Sequence, residues 1–515
     1  MNSRSGKIVL ALTALMLVQH GVRHLLLADD RLGSQQNAII PLLNAYHPFP
    51  SLPRESRAGI VDPTPVQIAI SVSAGQVVAI GSLDRSIRLH DLQLSVHPQK
   101  QRSEPDQIWF DVANVPRLPE PNALAPDRAI DTSNGGLQSL TSTSSKIPAA
   151  PASPARDLLP PNFQTSRRFE LPFFREGNVY QRTLIRELIC YDNQIAIYGD
   201  PQSTDHVAAA DAILQCGIPT VLKFVSQSIG KISDLDGDGR LALVLGQLAD
   251  AHAAHADSSP MNASEPKANQ EPIRGCVRPA DFQKARPDGV DAIYLDPRHL
   301  QVNELQSLLA HEFAHAATFS LLVESGQPPT AIPGWLNEAI AHYLEQQIAP
   351  TAENLQQRRR LFQAQPWMYP AVIPEQFTGM ALRRGPSRIA SLELLQSARP
   401  TTVDKNLRTL ITCPGDGINR LVTANRTDFK SLFRNFTRQL VQQRDDIAHQ
   451  RGTRPAIENL PSPAFRIKSA SKQAIQIRGT AVAISSPADQ DCELLIKTTR
   501  DAMLQITVIQ SPTQN

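Results

Sequence analysis

His311-Glu312-Phe313-Ala314-His315 sets two imidazoles four residues apart, with a carboxylate beside the first. On a helix that spacing puts both rings on one face, where they can share a single ion. Glu312 then lies beside the ion rather than on it, placed to take a proton from water held there. The surrounding run LQSLLAHEFAHAATFSLL contains neither proline nor glycine, so a helix can carry the pattern unbroken. Leu305, Leu309, Phe313 and Ala316 form an apolar stripe pointing broadly the other way, which would anchor the helix while the histidines face a cleft. Taken alone, the motif also fits two surface histidines with a salt-bridging glutamate between them.

Hydrolysis at zinc needs three protein ligands and one open position, so a third ligand must come from a downstream element. The segment Pro333-Gly334-Trp335-Leu336-Asn337-Glu338-Ala339-Ile340-Ala341-His342-Tyr343-Leu344-Glu345 starts at a proline–glycine break and reads on as a helix. The pair HEFAH and WLNEAIAHYLE resembles the gluzincin zinc metallopeptidases, whose third ligand is the glutamate of a W-L-N-E-G-x-A segment. Within them it looks most like the hyicolysin-like peptidases and related secreted bacterial proteins. The resemblance implies that His311, His315 and Glu338 bind Zn2+, that Glu312 is the catalytic base, and that the substrate is a polypeptide. It departs from the family in two places. The 22 residues between His315 and Glu338 exceed the spacing of the aminopeptidase branch, so the connection around Gly326–Ile332 must be longer. Ala339 also stands where glycine is usual.

His342, four residues after Glu338, shares its helix face and either orients a ligand by a hydrogen bond from outside the metal or is simply packed. Glu345 reads as surface charge. The strand Asp291–Leu295 (DAIYL) sits where such peptidases place the edge strand that pairs with extended substrate. Asp234, Asp236 and Asp238 form a D-x-D-x-D-G run with the alternation of a Ca2+ loop, but Leu245 occupies the position of its last acidic ligand. A glycine-rich turn before a strand accounts for it better than Ca2+ binding. For the donor that must meet the developing oxyanion, Tyr369, Arg384 and Arg388 are the candidates. A peptidase that has lost its activity but kept its zinc, a secreted zinc-binding scaffold, and a zinc hydrolase acting on another bond all stay open. Arg358-Arg359-Arg360 reads as a solvated helix face, and His252 and His255 as loop residues.

These residues need a framework of strands alternating with helices. Gln194–Tyr198, Leu241–Leu245 and Asp291–Leu295 read as strands, Val207–Gln215 and Leu300–Val323 as helices, and residues 334–443 as mostly helical. The expected fold is α+β: a zincin-like catalytic domain over residues 166–445, with a small sheet, an active-site helix and a helical C-terminal subdomain. Small β modules flank it at 60–115, with a further strand at Ile108–Val112, and at 460–515. Residues 116–165, rich in Pro, Ser and Ala, read as a disordered linker, and Ala251–Glu271 as a polar insertion.

With Lys+Arg 51 against Asp+Glu 49, the charge balance argues against nucleic acid or an acidic membrane as a partner through bulk electrostatics. A 41% hydrophobic fraction builds a core but not a polytopic membrane protein. Residues 1–28 join basic Arg4 and Lys7 to the apolar run Ile8–Val18, the pattern of an export signal or N-terminal membrane anchor. An extracytoplasmic location, secreted or held at the cell envelope, follows. Five scattered cysteines without a C-x-x-C pair give no vote on compartment.

Overall fold

The computed structural model describes residues 40–41, 66–85, 89–98, 164–175, 178–249, 272–283, 290–374, 385–398, 403–450, 463–468, 470–498 and 503–510. The expected export segment, nearly all of the linker, the strand at 108–112, His252, His255 and Arg384 lie outside them. No single described helix is long and apolar enough to cross a membrane. The fold is mixed α+β.

A seven-stranded sheet is built from β1 (Ile40–Pro41), β5 (Ser166–Arg175), β6 (Asn178–Tyr191), β7 (Ile195–Gly199), β8 (Leu241–Leu245), β9 (Gly275–Val277) and β10 (Ala292–Leu295). Its order is β1-β6-β7-β8-β10-β9, with β5 also on β6. Strands β7, β8 and β10 run parallel. Their sequences IAIYG, LALVL and AIYL are unbroken apolar runs because both faces are covered. Ile195, Ile197, Leu243 and Ile293 face the helices, while Tyr198, Val244 and Tyr294 face Phe169 and Leu171 of β5. Strand β10 is not an edge, contrary to the expectation for DAIYL. The three-residue β9 pairs antiparallel along it and takes the outer position.

Helices α1 (Thr204–Gln215) and α2 (Ile218–Ser228) make the crossover from β7 to β8 that a parallel pair requires. Helix α3 (Leu305–Glu324) carries the H-E-x-x-H sequence and packs against α4 (Gly334–Ile348), which carries Glu338. Helix α3 is not the one-sided helix its stripe suggests. Ala310, Ala314, Ala317 and Leu321 are buried as well as Leu305, Leu309, Phe313 and Ala316, so it runs through the core. The connection between α3 and α4 holds a 3-10 turn at Pro329–Ala331. It is clasped by the buried Arg420 of α8 (Gly417–Asn425), which donates to Ala331 O at 2.9 Å and to Gln327 Oε1 at 3.2 Å. Helices α5 (Glu353–Ala364), α6 (Gly385–Ser397), α7 (Val403–Thr412) and α9 (Phe429–Gln450) complete the helical part.

The two flanking β modules are in fact one sandwich. Strands β2 (Val66–Val72), β3 (Gln76–Ser82) and β4 (Leu89–Pro98) interleave with β11 (Lys472–Arg478), β12 (Val482–Ile484), β13 (Cys492–Thr498) and β14 (Leu504–Gln510). One sheet has the order β11-β4-β13-β2 and the other β12-β3-β14, all antiparallel. No early strand pairs with another early strand, because β13 separates β2 from β4. Strand β3 is covered on both faces: Val78 and Ile80 turn toward the other sheet, Val77 and Ala79 toward the helical core. Gly81 lies so close to the ring of Phe433 in α9 that a β-carbon would collide with it.

Candidate metal centre

Residues four apart on α3 and a single residue on α4 meet where the two helices pack. His311 Nε2 is 3.1 Å from His315 Nε2 and 3.6 Å from Glu338 Oε2. His315 Nε2 is 3.9 Å from Glu338 Oε1. Ligands about 2.0–2.1 Å from one tetrahedral ion would be separated by roughly 3.3–3.5 Å, so these distances bracket the value expected. His342 of α4 joins them from the same helix face as Glu338, with Nε2 3.9 Å from Glu338 Oε2. One ligand atom from each of His311, Glu338 and His342 lies within 4.8 Å of the others, and this buried group can hold a metal ion.

One outer partner fixes two of these rings. Glu345 is buried, not the surface charge expected of it. Its Oε2 takes His342 Nδ1 at 2.6 Å and His311 Nδ1 at 3.3 Å, and its Oε1 accepts from Ser307 Oγ at 2.6 Å and Asn354 Nδ2 at 3.1 Å. A carboxylate behind the Nδ1 atoms selects the tautomer whose Nε2 is free to bind a cation. On His315, by contrast, Nδ1 is buried without a hydrogen bond.

The charges follow from burial and proximity. Burial pushes all three imidazoles toward their neutral forms, His315 to about 4 with help from His311, so they are ready as ligands. Burial alone would raise Glu338, but Arg388 and the three rings hold it well below the usual carboxylate range. Glu345 is likewise held down, against its burial, by the hydrogen bonds from His311 and His342. Glu312 goes the other way: burial and then the charge of Glu338 raise it well above a normal glutamate, with Arg388 opposing. Glu312 Oε2 is buried without a hydrogen bond. Such an unmet oxygen is costly unless a cation or a reacting group answers it.

Glu312 lies against β9. A β-carbon on Gly275 would sit 2.6 Å from Glu312 Oε1, so glycine is required for the carboxylate to lie there. The outer strand therefore passes directly beside the carboxylate.

Of the oxyanion candidates, Arg388 on α6 reaches the centre, with Nη1 3.3 Å from Glu338 Oε2. Tyr369 is partly buried against the main core. The basic run on α5 is only partly solvated. Arg360 is exposed, but Arg359 pairs with the buried Glu393 at 3.3 Å, and Arg358 Nη1 stands 3.4 Å from His342 Nε2.

Asp234 and Asp236 come together with Asp291 rather than with Asp238. Asp234 accepts from Gly237 N and Gly239 N, Asp236 from Asp238 N, and Asp238 from Arg240 N, the bonding of a tight turn. Arg167 forms an ion pair with Asp236.

Glu345 and Gly275 are the contributors that sequence reasoning missed. The i, i+7 relation of Glu345 to Glu338 was the available signal for the first, while the second had none. Comparison with protein-family models finds no match to this chain, and comparison with curated proteins finds none either.

Proposed function

We propose that the chain is a zinc-dependent endopeptidase of the gluzincin type, acting outside the cytoplasm on polypeptides. His311, His315 and Glu338 would hold the ion, with Glu312 as general base. One arrangement carries this reading: two neutral imidazoles and an ionised carboxylate converge within 3.9 Å, beside a second carboxylate with an unmet oxygen. A bound zinc would supply a Lewis acid and lower the pKa of water.

The protein's own groups do the rest. Glu312 accepts a proton from the attacking water at its free Oε2 and returns it to the leaving amine. Burial and Glu338 raise the affinity of Glu312 for that proton. Gly275 leaves room for the Glu312 carboxylate beside β9, and β9 offers an extended substrate a strand to pair with. Arg388, beside Glu338, is the cation best placed to meet the oxyanion.

The test compares purified protein with Glu312→Gln on a mixed peptide library, with metal content measured in both. Cleavage lost at equal zinc supports the mechanism. Zinc retained with no cleavage by either protein sinks it and leaves a zinc-binding scaffold.

A further inference from the structure

His342 is the imidazole at the centre that the H-E-x-x-H pattern does not include, and its surroundings are those of a ligand. The ring is fully buried. Its Nδ1 donates to Glu345 Oε2, the same oxygen that takes His311 Nδ1. One carboxylate therefore sets both rings alike, each with its proton directed outward and its Nε2 turned toward Glu338. The two Nε2 atoms lie nearly the same distance from Glu338 Oε2, at 3.6 Å for His311 and 3.9 Å for His342. The ring centroids are 4.5 Å apart. Arg358 Nη1 approaches His342 Nε2 at 3.4 Å, longer than an ordinary hydrogen bond, and is a weak competitor for that lone pair. A histidine that only filled space would not need a buried carboxylate behind it and a second carboxylate in front.

We propose that His342 is a fourth protein ligand of the ion held by His311, His315 and Glu338. This rests on the metal-binding reading above and deepens it. The donor set becomes three imidazoles and one carboxylate, which suits Zn2+ and equally the later divalent transition ions. Four protein donors fill a tetrahedron, so water can join only as a fifth ligand. The set is also redundant: without His315, the trio of His311, Glu338 and His342 still has its ligand atoms within 4.8 Å of one another.

The experiment uses the full chain loaded with Zn2+ or Co2+. X-ray absorption counts the imidazoles on the ion in the wild-type protein, and chelator competition gives affinities for His315→Ala, His342→Ala and the double variant. The expected count is three imidazoles, falling to two in His342→Ala. Each single variant should keep one equivalent of metal at an affinity weaker by roughly 10-fold or more, the scale on which lost ligand support is felt. The double variant should keep none. Two imidazoles in the wild type, with affinity unchanged in His342→Ala, overturn the fourth ligand and leave the metal centre standing. A wild-type chain that holds no ion overturns both. The wild-type count requires no variant to fold, and His342→Gln repeats the affinity test with a side chain of similar reach.

Discussion

Two clusters of would-be ligands sit at opposite ends of the same physical argument. At the histidine centre, Glu312 Oε2 is buried with no hydrogen bond, while the far sides of His311 and His342 are pinned by Glu345. At the aspartate cluster, the oxygens are already spoken for: Asp234 by two glycine amides, Asp236 by Asp238 N and Arg167, Asp291 by Leu235 N. Both contain enough acidic or imidazole groups for an ion. Only the first leaves a carboxylate oxygen, Glu312 Oε2, unmet beside rings held from behind. A place for a cation is marked by what the protein leaves open, not by how many acids it gathers.

That contrast can be broken most forcefully at Glu338. Glu338→Gln replaces an ionised ligand with an amide, so metal content and peptide cleavage should both fall to background while the circular dichroism spectrum stays native. Glu312→Gln comes next: cleavage should drop about 10²–10⁴-fold with metal fully retained, the usual worth of a general base. Glu345→Gln turns one acceptor into a donor facing the two Nδ1–H groups, and should weaken metal binding about 10–100-fold by chelator competition. At the other cluster the expected effect is on stability alone. Burial, and then the charge of Asp236, push Asp291 up to about 8. The folded protein then keeps a proton that the unfolded chain gives up near 4, so its stability is greatest below that pH and declines as pH rises through about 8. Asp291→Asn should flatten that decline, by a few kcal/mol at most, in thermal melts from pH 4 to 9. A rise in wild-type melting temperature on adding Ca2+ would instead show that the aspartates bind an ion, erasing the contrast.

What the sequence made readable was whatever is local. His311, Glu312 and His315 lie within one turn and a half of helix, so spacing placed them, whereas Glu338 was legible only through the resemblance carried by its W-L-N-E segment. The strands LALVL and QIAIY were readable because sheets buried on both faces need unbroken apolar runs. Glu345 was not, since a glutamate near the end of a helix looks solvated until Ser307 and His311 of another helix cover it. The strand β9 is only Gly275–Val277 and has no periodicity to detect. Nor could a local pattern show that β13 pairs with β2 and β4, some 400 residues away. Long-range pairing is written in no window of sequence.

The position of β13 bears on how the chain matures. Strands β2 and β4 emerge early in synthesis but have no neighbour in their sheet until residues 472–498 arrive. Until then their open edges must be shielded from other nascent chains. Because β3 and β14 rest on α9, a nick that released the tail would also strip the cover from the helices beside α3 and α4. The last strands to be made are the lock on the first.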